Sequence, residues 1–381
     1  MKKIFIVFII QWFFLSCSET HRASLGNPVS LHSLRLLGEY EVPFNQDFKG
    51  TLIGGLSGID YDSLHKLYYF ISDDRSNENP ARFYSAKINF NSSGIDSVRF
   101  VNVTTLLQKN GASYPSSKSD PRHSPDPEAL RYNPLSNQLV WTSEGERIVK
   151  KEIILEDPAI TTIKPDGKYV DTFPLPPQMH MAAIESGPRQ NGVFEGLTFA
   201  DNFKTMYVSV EEPLYQDGPR AGLMDTTTWT RIIKYDVATK APIAQYAYHL
   251  ESVAHAPKPA SEFKINGIPD ILSISKNKLL VIERSFSTGI LACTIRVYIV
   301  DLSRASNIAA TVSLKQQPPA HPVRKKLLLN MDDLGIYVDN IEGVTFGPDL
   351  PNGHKTLLFI SDNNFSPDQK TQILLFEVSG Y

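Results

Sequence analysis

Acidic side chains recur in this sequence beside short apolar runs. Glu128, Glu195 and Glu342 each precede a small residue and then an apolar one, as Glu128-Ala129-Leu130, Glu195-Gly196-Leu197 and Glu342-Gly343-Val344. Asp270-Ile271-Leu272 is a looser copy of the same pattern. A second set of acids closes apolar runs: Asp73 and Asp74, Glu144, Glu211 and Glu212, Glu283, and Asp362. Carboxylates that converge repel one another, and burial sharpens the repulsion. Such a group must bind cations, be neutralised by arginine, or hold protons. Asp73, Glu128, Glu195, Glu342 and Asp362 are therefore candidate ligands of a hard cation, Ca2+ first, with neutral oxygens available from Asn340, Asn363 and Asn364. A cation lowers the pKa of bound water, and Glu128 or Glu195 would then accept the proton. The competing reading gives these acids ordinary hydrogen bonds that hold strand ends together.

Basic residues lie in the same junctions. Arg82, Arg189 and Arg284 are candidates to grip substrate oxygens, with Arg75, Arg147 and Arg231 nearby. His123, in Pro121-Arg122-His123-Ser124-Pro125-Asp126 just before Glu128, is a candidate acid–base group, against the alternative of a surface-loop histidine. There is no G-x-S-x-G elbow, Walker A loop or H-E-x-x-H motif.

These acids come from distant parts of a chain of 381 residues, so the elements that carry them must bring them together. The pattern repeats about every 65 to 75 residues, five times, starting at Gly55, Glu128, Glu195, Asp270 and Glu342. Each repeat holds a first short strand, a turn, and a second strand rich in β-branched and aromatic residues, such as Tyr68-Tyr69-Phe70-Ile71 or Leu357-Leu358-Phe359-Ile360. Two more strands follow in the first four repeats, while the fifth has only one, at 371–378. The unused strand at 34–42 fills that gap. The expectation is an all-β propeller of five four-stranded blades closed by its N-terminal strand, with six blades possible if the region 109–127 hides strands. In a propeller the start of each innermost strand and the end of its neighbour share one face. That places Glu128, Glu195, Asp270 and Glu342 together with the second set of acids around the central axis.

The first segment is a different kind of signal. Lys2 and Lys3 precede an apolar run to Leu15, and Ser16-Cys17-Ser18 follows. The run is short for a membrane span and reads as a signal peptide over residues 1–16. Phe14-Leu15-Ser16-Cys17 resembles a bacterial lipobox, making Cys17 a lipidation site with a tether over 17–31 and a folded domain over 32–381. The expected location is the bacterial cell envelope, facing periplasm or exterior and held to the membrane by that lipid; plain secretion and a retained anchor are the alternatives. Cys293 is then the second and last cysteine, so no internal disulfide forms, and it lies in an apolar strand. A net charge of −3 with no long basic run argues against a nucleic-acid partner.

Taken together, several segments resemble one family. They include Gly54-Gly55-Leu56-Ser57-Gly58-Ile59, Ser72-Asp73-Asp74-Arg75, Asp126-Pro127-Glu128-Ala129-Leu130, Asn191-Gly192-Val193-Phe194-Glu195-Gly196-Leu197, Ile282-Glu283-Arg284-Ser285, Asp339-Asn340-Ile341-Glu342-Gly343 and Ser361-Asp362-Asn363-Asn364-Phe365-Ser366. The chain from about residue 34 to 376 is similar to the bacterial phytase-like domain family, described as having an esterase-like activity of phytase. The resemblance implies a propeller and hydrolysis of phosphate or other esters. The expected function is a metal-dependent ester hydrolase acting on a small anionic or ester substrate, a phosphoester first. The alternative is a non-catalytic envelope module that binds a ligand or partner through the same face.

Overall fold

The computed structural model describes residues 31–224 and 227–379. The leader, Cys17 and the tether up to residue 30 lie outside the described residues. Five four-stranded antiparallel units account for most of the chain. Blade 1 is Leu56–Asp62, Leu67–Ser72, Arg82–Asn91 and Gly94–Thr105. Blade 2 is Pro127–Asn133, Gln138–Ser143, Ala159–Ile163 and Tyr169–Thr172, with a hairpin of Glu146–Val149 and Ile153–Glu156 inserted. Blade 3 is Phe194–Ala200, Thr205–Val210, Trp229–Asp236 and Pro242–His249. Blade 4 has a split inner strand, Lys264–Gly267 and Ile271–Ser275, both paired with Lys278–Ser287, followed by Thr294–Asp301 and Arg324–Asn330. Blade 5 is Asn340–Phe346, Thr356–Asp362, Thr371–Ser379 and, outermost, Ser33–Val42 from the other end of the chain. That closing strand pairs from Ser33 opposite Ser379 to Val42 opposite Thr371, as the sequence requires. Among the described residues no sixth blade forms: between Thr105 and Pro127 there is no strand.

The period of two along each second strand explains why the ring holds. Tyr69 and Ile71 pack with Leu130, Leu139 and Trp141 of blade 2, whereas Tyr68 and Phe70 pack with Leu358, Ile360 and Leu375 of blade 5. Leu279 and Val281 meet blade 3, and Leu280 and Ile282 meet blade 5. Each interface between blades is thus its own apolar core, and each second strand is buried on both faces. This is why those strands read as continuous apolar runs rather than alternating ones.

The axis is stoppered by Arg131, on the inner strand of blade 2 and almost fully buried. Its guanidinium donates to the backbone carbonyls of Ile59, Leu197, Ile271 and Val344, one from each of the other four blades. It also pairs with both carboxylate oxygens of Asp270, at 2.7 and 2.9 Å. Asp270 therefore does not join the other acids. Gly196 shows why: a Cβ there would lie 2.8 Å from the Asp270 Cα, so Asp270 stands at the level of the small residues, one step deeper than Glu195. Pro269 takes the acid's place in blade 4.

Candidate functional site

The inner strands of blades 1, 2, 3 and 5 share an irregularity at their start. Register slips between Leu56 and Gly58, Pro127 and Leu130, Phe194 and Leu197, and Ile341 and Gly343. A bulge at this point re-aims the residue it contains. Those residues are Ser57, Glu128, Glu195 and Glu342. Second strands then deliver Asp73, Glu144, Glu211 and Asp362 to the same end of the axis. Gly55 makes this approach possible: its φ is +60° and a Cβ would sit 2.1 Å from an Asp73 carboxylate oxygen. Gly267 does the same for Glu211.

A cavity of about 1250 Å³ opens at this end, lined by Asp73, Asp126, Glu128, Glu195, Glu211, Arg284 and Glu342 among others. At and beneath its floor lie two buried triads, each able to hold a divalent cation; of their members Glu144 does not itself line the cavity. In the first, one carboxylate oxygen each of Asp126, Glu128 and Glu144 lie within 4.8 Å of one another. In the second, Glu144, Glu195 and Glu211 do so. Glu144 belongs to both. One of its oxygens accepts from the Val193 N–H at 2.5 Å, and its Oε2 is buried with no hydrogen-bond partner. Hard carboxylate oxygens in this number, one of them orphaned, fit a divalent cation.

Arg75 counters this charge at Asp126, 3.6 Å away, and Arg284 counters it at the second triad. Arg284 donates to Glu211 Oε1 at 2.7 Å, to Asn340 Oδ1 at 2.8 Å, and to Glu342. Burial, and then the surrounding acids, push Asp73, Glu128, Glu144 and Glu195 well above the usual carboxylate range. Asp126 and Asp362 are pushed up to about 6 and Glu342 to about 8, in each case mainly by burial. Arg75 draws Asp126 back, hydrogen bonds from backbone N–H groups and then Arg284 do so for Asp362, and Arg284 does so for Glu342.

Other residues singled out by sequence fall elsewhere. Asp362 is buried beside Asp73 and Glu342 but does not line the cavity, and its Oδ2 has no hydrogen-bond partner. Asp73, Glu342 and Asp362 lie outside the two triads. Arg82 is buried away from the cavity lining, bound to Asp74 at 2.7 Å, to the Tyr84 hydroxyl and to the Leu52 carbonyl. Arg189 stacks 4.3 Å from the Tyr215 ring centroid and gives its protons to the carbonyls of Pro213 and Gly218. Of the three arginines, Arg284 alone reaches the cavity. His123 is exposed, held by Asp120 at 2.8 Å, and does not line it. Strand alternation turns Glu283 outward, where Tyr248, Lys325 and Asn266 saturate it. Arg231 is locked to Asp217. Asp126 is the participant the repeat pattern passes over, because it precedes the strand; its one sequence cue is its place two residues before Glu128.

A family model described as phytase-like, esterase-like activity of phytase, matches residues 51–365. The chain belongs to this phytase-like family. No curated protein sequence matches it. Solved structures similar to the phytase-like chain include hydrazine synthase from Kuenenia stuttgartiensis, with 11% identity, 84% of this chain and 81% of that one covered, and a TM-score of 0.35. A gluconolactonase from Xanthomonas campestris gives 10%, 91%, 89% and 0.37. Exo-β-1,3-galactanase from Phanerochaete chrysosporium gives 12%, 89%, 64% and 0.44. The phytase-like site therefore rests on its own geometry.

Proposed function

We propose that this phytase-like propeller is a Ca2+-dependent ester hydrolase, with phosphate esters as its first substrates and the acidic cavity as its active site. The observation that carries this reading is the buried, unpartnered Oε2 of Glu144 between two carboxylate triads. Burial and the neighbouring acids disfavour the charged form of this carboxylate; in the metal-free chain a proton shared with Glu195 offsets that, and a cation would take the proton's place. When bound, a divalent ion supplies positive charge for substrate oxygens and acidifies a water.

The chain's own groups do the rest. Glu144, with Asp126 on one side or Glu211 on the other, would hold the ion. Arg284 fixes Glu211 and Glu342 in place and keeps them from repelling substrate further. Glu128 or Glu195, which burial and neighbouring acids keep protonated in the metal-free chain, would lose that proton when a cation binds and then accept the water's proton. The water oxygen then bonds to phosphorus, and the departing alkoxide or phenoxide carries the proton away. Cys293 supplies no thiolate, because burial pushes its thiol up to about 11.

The cavity lining carries no histidine and no serine. That observation also suits a second reading, a non-catalytic envelope module that binds a ligand in the same cavity. Assays of the leaderless protein on aryl phosphates and aryl acetates, with and without Ca2+, separate the two. Calcium-dependent turnover is expected on at least one class; none on either, with ligand binding retained, favours the module.

The localisation forms part of the same reading: residues 1–16 export the chain, and a lipid on Cys17 anchors it in the bacterial cell envelope. The closing strand runs antiparallel to Thr371–Ser379, which starts at the cavity end, so Ser33 lies at the end away from the cavity. Labelled palmitate is expected to enter the wild-type chain and not Cys17→Ser; no label in either would leave plain secretion.

A further inference from the structure

The cavity is not acidic all round. Its blade 4 side is lined by Phe263, Ile265, Phe286, Ile290 and Leu291. The rings of Phe263 and Phe286 lie 6.2 Å apart, centroid to centroid. Phe263 is 50% exposed and Leu291 85% exposed, so this wall meets water when nothing covers it. An apolar wall continuous with a charged floor is the ordinary makeup of a small-molecule site: the polar groups orient the ligand and the wall takes up its bulk.

The cations along the same lining are engaged. Arg75 is bound to Glu146 at 2.9 Å, Arg220 to Glu212 at 2.9 Å, and Lys118 lies 3.9 Å from Glu78. Arg147 gives its protons to the Ala182 and Ile184 carbonyls and the Tyr215 hydroxyl. A polyol carrying many phosphates would meet one loosely held cation there, Lys118, and a wall that offers its phosphates only Arg220 over the Phe263 ring.

We propose that the substrate is an ester with one anionic head and an alkyl or aryl group, the head at the acidic triads and the apolar group on the wall made by Phe263, Phe286 and Leu291. This rests on the hydrolase reading and deepens it by naming the substrate class. Each methylene taken from water onto such a wall strengthens binding by up to about fourfold.

The test is calorimetry of the leaderless protein with methyl-, butyl- and octylphosphonate, with saturating Ca2+ and with chelator. Expected is Ca2+-dependent binding that tightens at least tenfold from methyl to octyl. A double variant, Phe263→Ser with Leu291→Ser, changes two exposed side chains. It is expected to flatten the series to under threefold, with a melting temperature within experimental scatter of wild type. Ca2+-dependent binding of all three phosphonates with one affinity, or a slope untouched in the double variant, overturns the inference and spares the hydrolase reading. Binding of octylphosphonate alone, indifferent to Ca2+, spares the wall and overturns the hydrolase reading. Binding of none overturns both.

Discussion

Glu144 is the residue on which the site's electrostatics turn, because it is shared by both triads and has an oxygen with no partner. Glu144→Gln removes one charge and keeps the shape. Calcium affinity is expected to fall at least tenfold by calorimetry, about 1.4 kcal/mol, while the metal-free variant melts no lower than wild type. An unchanged affinity would contradict a shared cation site. The neighbouring acids give a pH signature with a definite sign. Asp126 and Asp362 near 6 and Glu342 near 8 all lie above their ordinary values of 3.8 and 4.5. Between those limits the folded chain binds more protons than the unfolded one. Stability in chelator is therefore full below about pH 4 and is lost as pH rises through 6 to 8. Melting temperatures measured from pH 4.5 to 8.5 should fall with chelator and fall much less with Ca2+; a metal-free protein that melts higher at pH 8 than at pH 5 would refute this. Sequence alone points to Glu128 and Glu195, which repeat in register, but not to the choice among the arginines. Arg82, Arg189 and Arg284 look equivalent as letters beside acids. Only packing distinguishes Arg284 at the axis from Arg82 bound to Asp74 and Arg189 stacked on Tyr215.

Strands position these residues through two devices, one legible and one not. The apolar second strands are plain in the sequence because each packs against both neighbouring blades. The bulges at the inner-strand starts leave no clear mark, since Glu-Gly-Leu reads equally well as regular strand. Blade 4 misleads for the same reason. Asp270-Ile271-Leu272 copies the pattern in letters, yet Pro269 splits the inner strand and Asp270 lands one level deeper, against Arg131. Arg131 carries no repeat signature, because a single axial plug occurs once per ring. Its removal has a large expected effect: Arg131→Ala leaves Asp270 buried without its cation and four carbonyls without their shared donor. A loss of about 3–5 kcal/mol is expected, read as a lower urea midpoint. A midpoint within experimental scatter of wild type would mean that the plug adds nothing to ring stability.

At the scale of the whole molecule, ring closure converts five separate sheets into one site. Blade 5 is completed by Ser33–Val42, whose Arg35 pairs with Glu377 across the seam. A chain starting at residue 43 exposes the strand edge of Thr371–Ser379 and the part of the blade 4–5 core that Leu34 and Leu36 cover. Such a chain is expected to aggregate or lose its cooperative melt, and its calcium binding should go with it, since Glu342 on that blade braces Arg284 against Glu211 of the second triad. The count of five and the closing strand were readable from spacing; the meeting of the acids depends on radial geometry that spacing only implies. The most direct test of that meeting is a calcium titration of chelator-treated, leaderless protein at pH 7.5, following heat of binding and melting temperature together. Saturable binding that releases protons and raises the melting temperature, and that is weakened in Glu195→Gln, is the predicted result. No heat, no proton release and no thermal shift at millimolar Ca2+ would contradict a cation centre built from these carboxylates.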